Sequence, residues 1–179
     1  MIRILSIIIC FFSVQHDEPI LNWSESYKLS WEDFKADPDF NSSAVAITAS
    51  GLTFSFSVKE TNTEVISFST EVKAHFYPEK SWYKPELAND HILGHEQLHF
   101  DITELHARKF RHEISMLKTT SSIKSDLKQL HKKINIELAL MQDNYDNETN
   151  YSRRHDMQTN WKVYVTEELQ KLASYKSVN

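Results

Sequence analysis

Two of the nine histidines in this 179-residue chain, His95 and His99, bracket the stretch His95-Glu96-Gln97-Leu98-His99, an H-E-x-x-H pattern. Residues four apart on a helix share a face and lie about 6 Å apart along its axis, so both imidazoles can converge on one metal ion. Glu96, turned roughly 100° from His95, can then reach a metal-bound water as general base. The implied ion is Zn²⁺, which lowers the pKa of a bound water toward about 7 and makes hydroxide available at neutral pH. The expected reaction is metal-assisted hydrolysis of an amide, with Glu96 as the catalytic group and a peptide or protein as substrate.

The remaining ligand must come from outside this pentapeptide. His91 and His99 would lie about 12 Å apart along an unbroken helix, and His106 about 10 Å beyond His99, so neither can complete the pair. The position six residues after the second histidine, where a third would close a short metal motif, is Leu105. Asp101 points off the ligand face and is expected to orient a ligand imidazole instead. The polar segment from Asn144 to His155 supplies Asp146, Glu148, Tyr151 and His155. A returning helix pair would bring this segment back beside the first helix. The expected third ligand is His155, with Glu148 and Tyr151 as alternatives that spacing alone does not separate.

These residues need a helix beneath them, and the apolar periodicity provides one. Asn89 or Asp90 can cap it, and Ile92, Leu93, Leu98, Ile102, Leu105, Phe110, Ile114 and Leu117 recur at spacings of three to five through about Lys118. After a break at Thr119 to Ser122, a second helix is expected from Ile123 to about Asp143, and a third carries Met157, Trp161, Leu169 and Leu172. Upstream, Leu52 to Val58 and Val65 to Phe76 alternate apolar and polar residues with the period of half-buried strands. Gly51 is expected to turn the chain between Val45–Thr48 and the first of these runs. Trp31, Phe34, Trp82, Phe100 and Trp161 are expected as core or staple residues, with Ser81-Trp82-Tyr83 as a candidate cleft wall. Strands first and helices afterwards predict an α+β domain, an antiparallel sheet of three or four strands followed by three helices, the first a zincin-like active-site helix.

Composition narrows the function further. A net charge of −5 gives no footprint for nucleic acid, which clustered Lys and Arg must neutralise. Only two glycines are present, which excludes glycine-rich phosphate loops, and one of them, Gly94, directly precedes His95. Glycine inside a helix costs about 1 kcal/mol relative to alanine, so close approach of a strand or substrate backbone is expected there. Arg3, an apolar run from Ile4 to Phe12 and Ser13-Val14-Gln15 have the layout of a secretory signal. Residues 1–15 are therefore read as a signal peptide and residues 16–179 as one domain. The expectation is a secreted or periplasmic monomer, without stable membrane insertion after signal cleavage. Cys10, the only cysteine, would leave with the signal.

The chain also resembles a family of secreted bacterial proteins catalogued as a domain of unknown function, number 922 in that series, and described as zinc-dependent proteases. The resemblance covers most of the mature chain. It is carried by Leu29-Ser30-Trp31-Glu32-Asp33-Phe34, by Ala44 to Thr48, by Phe76 with Ser81-Trp82, and most specifically by Leu93 to Ile102 continuing into Ala107-Arg108. Tyr145 to Thr149, Gln158 and Trp161 match the family's tail. The resemblance implies a metallopeptidase-like secreted protein with His95 and His99 as ligands and Glu96 as the catalytic acid. Family members commonly carry a histidine two residues after the threonine matching Thr149, where this chain has Tyr151. The competing expectation is a non-catalytic secreted or envelope-associated binding protein with a structural or vestigial metal site.

Overall fold

In the computed structural model, which describes residues 19–177, the alternating runs form a long antiparallel hairpin, β3 (Ser50–Glu60) and β4 (Val65–Phe76). The expected signal peptide lies outside the described residues. Thr61 closes the hairpin: its amide donates to the Glu64 carbonyl at 2.8 Å, and its hydroxyl accepts from the Glu64 amide at 3.2 Å. A short β1 (Leu21–Asn22) joins the other edge of β4, giving the order β1-β4-β3. β2 (Ala46–Ile47) pairs with β5 (Trp82–Tyr83) in a separate two-stranded sheet. Three helices follow, α1 (Asp90–Ser115), α2 (Ile123–Thr149) and α3 (His155–Lys171), so the fold is α+β.

Gly51 does not turn the chain. It sits inside β3 opposite His75, because the alternation already begins at Ser50. An added Cβ at Gly51 would stand 3.4 Å from Cε2 of Tyr77, whose ring covers it. The segment from Val45 therefore finds its partner in β5 rather than β3; the Lys84 amide donates to the Val45 carbonyl at 2.8 Å.

The odd and even positions of β4 explain how the sheet meets the helices. Val72, Ala74 and Phe76 fall on one face and pack with Phe100, Ala107 and Phe110 of α1, all of them buried. Each fully buried side chain of this size contributes roughly 1.5–3 kcal/mol. Trp31 stacks on Tyr83 with ring centroids 4.6 Å apart, and Phe34 meets Phe76 edge-on at 5.2 Å, so the aromatics staple the N-terminal segment to both sheets. A second cluster, Leu98, Ile102, Leu138, Tyr145 and Val165, joins the three helices.

The Asn89 side chain caps α1 by accepting from the Ile92 amide at 3.0 Å. α2 runs past the expected end at Asp143 to Thr149, because Tyr145 and Thr149, both fully buried, continue the apolar stripe from Leu138. No helix among the described residues is long and apolar enough to cross a membrane.

Candidate metal centre

The extra turns of α2 carry Asp146 against the first half of α1. Its Oδ1 stands 3.0 Å from Nε2 of His95 and 3.0 Å from Nε2 of His99, and the two Nε2 atoms are 3.2 Å apart. Atoms held 2.0–2.1 Å from one tetrahedral ion would be separated by about 3.3 Å. The triangle thus has the dimensions of a coordination shell, and these three residues could hold a metal ion.

The neighbours of His99 say which of its nitrogens faces the triangle with a lone pair. Gln142 donates its Nε2 to the His99 carbonyl at 2.9 Å and to Thr103 Oγ1 at 3.3 Å. That leaves the Gln142 amide oxygen against His99 Nδ1, so Nδ1 must carry the proton. In the neutral ring, Nε2 then presents its lone pair to a carboxylate oxygen and to a second imidazole nitrogen, a repulsive arrangement that either a proton or a metal ion between them relieves. The residues present fit a metal ion for this reason. His95 is held differently: its ring stacks on Tyr145 at 4.5 Å, and its buried Nδ1 has no hydrogen-bond partner among the described residues.

The electrostatics agree. Burial alone would raise the Asp146 carboxyl, but hydrogen bonds from His95 and His99 hold it far below the usual carboxylate range. Burial alone would lower His99, but Asp146 and the charge of Glu96 push it above the ordinary histidine value. Both directions show a cluster that stabilises positive charge at its centre.

The centre opens into a cleft of about 430 Å³, lined on one side by residues 43–48 and on the other by Ile92, His95, Glu96 and His99. Thr48 Oγ1 donates to the Glu96 carbonyl at 3.3 Å, tying the two walls together. Glu96 is 4% exposed, and its carboxylate makes no hydrogen bond to any described residue. The turn after α2 contributes the rest of the lining. Here Asn150, Tyr151 and Ser152 all have left-handed backbone, with φ of 48°, 53° and 70°. Non-glycine residues in that region cost roughly 1–2 kcal/mol each, so the turn stores strain beside the centre.

Of the other residues expected at the site, none joins the three-ligand group. His155, the expected third ligand, begins α3 and stacks flat on His91, with ring centroids 3.6 Å apart. Glu148 accepts from Trp161 Nε1 at 2.8 Å. Tyr151 lines the cleft but is 60% exposed and contributes no atom to the group. Asp101 contacts neither ligand imidazole; it accepts from Trp23 Nε1 at 2.7 Å and Gln97 Nε2 at 2.9 Å. Orientation of His99 falls instead to Gln142, which the sequence did not mark. Its signal was a position four before Asp146, on the same face of a helix read as ending too soon. Trp82 lies in β5, and the cleft wall is the neighbouring segment 43–48.

No curated protein and no solved structure matches this chain. The profile of a bacterial family of unknown function, DUF922, matches residues 27–156, a span that contains both walls of the cleft, all three candidate ligands and Glu96. The chain belongs to this family of bacterial proteins of unknown function.

Proposed function

We propose that this protein is a zinc-dependent hydrolase that cleaves peptide bonds, with His95, His99 and Asp146 holding the metal and Glu96 moving the proton. What carries the reading is the protonation of His99 at Nδ1 by its contact with Gln142, which turns a lone pair into the same point that His95 and Asp146 face. Bound there, zinc would polarise a substrate carbonyl and lower the pKa of an attacking water. Glu96 has the qualities of a general base: a buried carboxylate, in the same cleft, with both oxygens uncommitted. It accepts a proton from the attacking water and returns it to the departing amine. Gln142 and Tyr145 keep the imidazoles from swinging while this happens. The amino-terminal run from Arg3 to Phe12 supports export as the setting in which the substrate is met.

Metal analysis of the purified protein, paired with a peptide-hydrolysis assay, tests the proposal. One zinc per chain is expected, retained in Glu96→Gln while turnover falls by about 10²–10⁴. A different metal, or turnover unchanged in Glu96→Gln, would sink it. Stoichiometric zinc without hydrolysis of any peptide would favour a structural site in a binding protein.

A further inference from the structure

Four arginines lie among the described residues, and three of them have a carboxylate nearby. Arg108 and Arg111 hydrogen-bond to Glu104 at 2.9 and 3.3 Å, and Arg154 approaches Asp156 at 3.8 Å. Arg153 has none. Its one hydrogen bond is from Nη1 to the Asn150 carbonyl at 3.2 Å, which uses one of the five donors of a guanidinium. Among the described residues it is also the only lysine or arginine that lines the cleft.

The backbone that carries Arg153 is fixed to the metal centre. The Tyr151 amide donates to the carbonyl of Asp146, the Arg154 amide to that of Thr149, and His91 Nε2 to that of Ser152, each at 2.8 Å. These bonds hold the left-handed turn 150–152 against both α2 and α1. The stem of Arg153 therefore starts from a platform set by a metal ligand. Charge then decides what it attracts. A divalent ion at the centre would balance the two carboxylates, Glu96 and Asp146, leaving Arg153 as the uncompensated charge along the cleft. The facing wall, residues 43–48, carries no ionisable side chain.

We infer that Arg153 makes this cleft selective for substrates bearing a carboxylate close to the bond that is cleaved, a reading that rests on the hydrolysis proposed above. The guanidinium fork matches a carboxylate in shape as well as charge, so the contact positions the chain as well as attracting it. An aspartate or glutamate side chain would supply that group, and so would a free chain terminus.

The test uses the zinc-loaded unmutated protein, which keeps the charge of Glu96, and four peptides on one neutral core, N-methylated at the scissile amide so that binding is read without turnover and left unmethylated to read cleavage. The first carries glutamate and an amidated end, the second a neutral chain with a free carboxyl terminus. The third is neutral and amidated, and the fourth carries lysine and is amidated. At least one carboxylate peptide is expected to bind about tenfold more tightly than the neutral amidated one. Arg153→Ala should abolish that advantage, and Arg153→Glu should transfer it to the lysine peptide. Preference for the first peptide identifies a side-chain carboxylate as the target, and preference for the second a chain terminus. Equal binding of all four, no binding of any, or a preference that survives in Arg153→Ala overturns the inference. Selective binding that depends on Arg153, with no cleavage of the unmethylated peptides, leaves the inference standing and removes the hydrolase. Cleavage indifferent to substrate charge and to residue 153 does the reverse.

Discussion

Helix α1 carries two buried charged clusters, and they are completed in opposite ways. In its second half Glu104, 1% exposed, accepts from Arg108 Nε and Arg111 Nη1. The other guanidinium donors reach the carbonyls of Leu169, Val72 and Tyr175, and the Trp23 ring covers Arg108 at 5.2 Å. One carboxylate faces two guanidiniums, and the chain supplies both the countercharge and the carbonyls around it. About 12 Å along the axis, Glu96 and Asp146 face two histidines, and neither carboxylate pairs with a lysine or arginine among the described residues. The first cluster locks α1 to β4 and α3; the second, standing on that locked helix, leaves its balance to something from outside the chain. Burial of charge is therefore no sign of function in itself. What distinguishes a site is a deficit of countercharge that the fold has not filled.

The sharpest way to break this contrast is to remove one carboxylate from each cluster. Asp146→Asn keeps the shape but weakens the ligand, and zinc affinity should fall by at least about a thousandfold in a calorimetric titration. The metal-free protein should also lose some stability in urea at neutral pH, because the low carboxyl pKa of Asp146 is itself a contribution to the fold, but the larger effect falls on the metal. Less than a tenfold change in affinity would remove Asp146 from the ligand set. Glu104→Gln should do the opposite. It leaves two guanidiniums buried without countercharge, with side-chain exposures of only 4% and 16%, and the expected cost is about 3–4 kcal/mol whether or not zinc is present. A loss under about 1 kcal/mol, or one that zinc rescues, would erase the distinction between the two clusters.

His106 lies on α1 between Glu104 and Arg108 and tests the locked half by pH. It is 1% exposed and donates Nδ1 to the Ile102 carbonyl at 2.9 Å. Burial pushes it down to about 4, against 6.5 in an unfolded chain. The folded protein thus refuses a proton that the unfolded chain accepts. The stability this represents is fully present above pH 6.5 and is lost as pH falls toward 4, by about 3 kcal/mol in all. The difference between stability curves of the unmutated protein and His106→Gln isolates this contribution from that of the ligand histidines. The unmutated curve should be steeper between pH 6.5 and 4, and parallel curves would show that His106 takes up its proton in the fold.

The two clusters were also unequally legible in the sequence. His95 and His99 could be placed on one face because helical period is a local code, and α1 states it strongly. The hairpin of β3 and β4 was readable for the same reason, with period two. Asp146 was among the candidates but could not be chosen, because Asn144, Asp146, Asn147 and Asn150 have low helix propensity and read as a loop. Burial of Tyr145 and Thr149 overrode that propensity, and only a helix continued to Thr149 turns Asp146 toward α1 while Glu148 reaches Trp161. The pairing of β2 with β5 was hidden because two residues on each strand carry too little pattern to find a partner 35 positions away (Ile47 to Trp82). Glu104 and Arg108 stand four apart like any exposed helical ion pair. Nothing local announces that a strand and a second helix close over them.

Gly94 sharpens the comparison at its smallest scale. Its position before His95 suggested that something approaches the helix too closely for a side chain. Yet the residue is exposed, it does not line the cleft, and an added Cβ would meet only Gln158 Nε2 at 3.8 Å, an ordinary contact. Nothing among the described residues requires a glycine there, and its backbone entropy is simply lost on folding. Gly94→Ala should therefore raise stability by about 1 kcal/mol in urea unfolding, with zinc affinity and turnover unchanged. A rise in KM without loss of stability would show that substrate uses the space beside Gly94. The ligand half of α1 would then be open to solvent for a functional reason, where the arginine half is closed for a structural one.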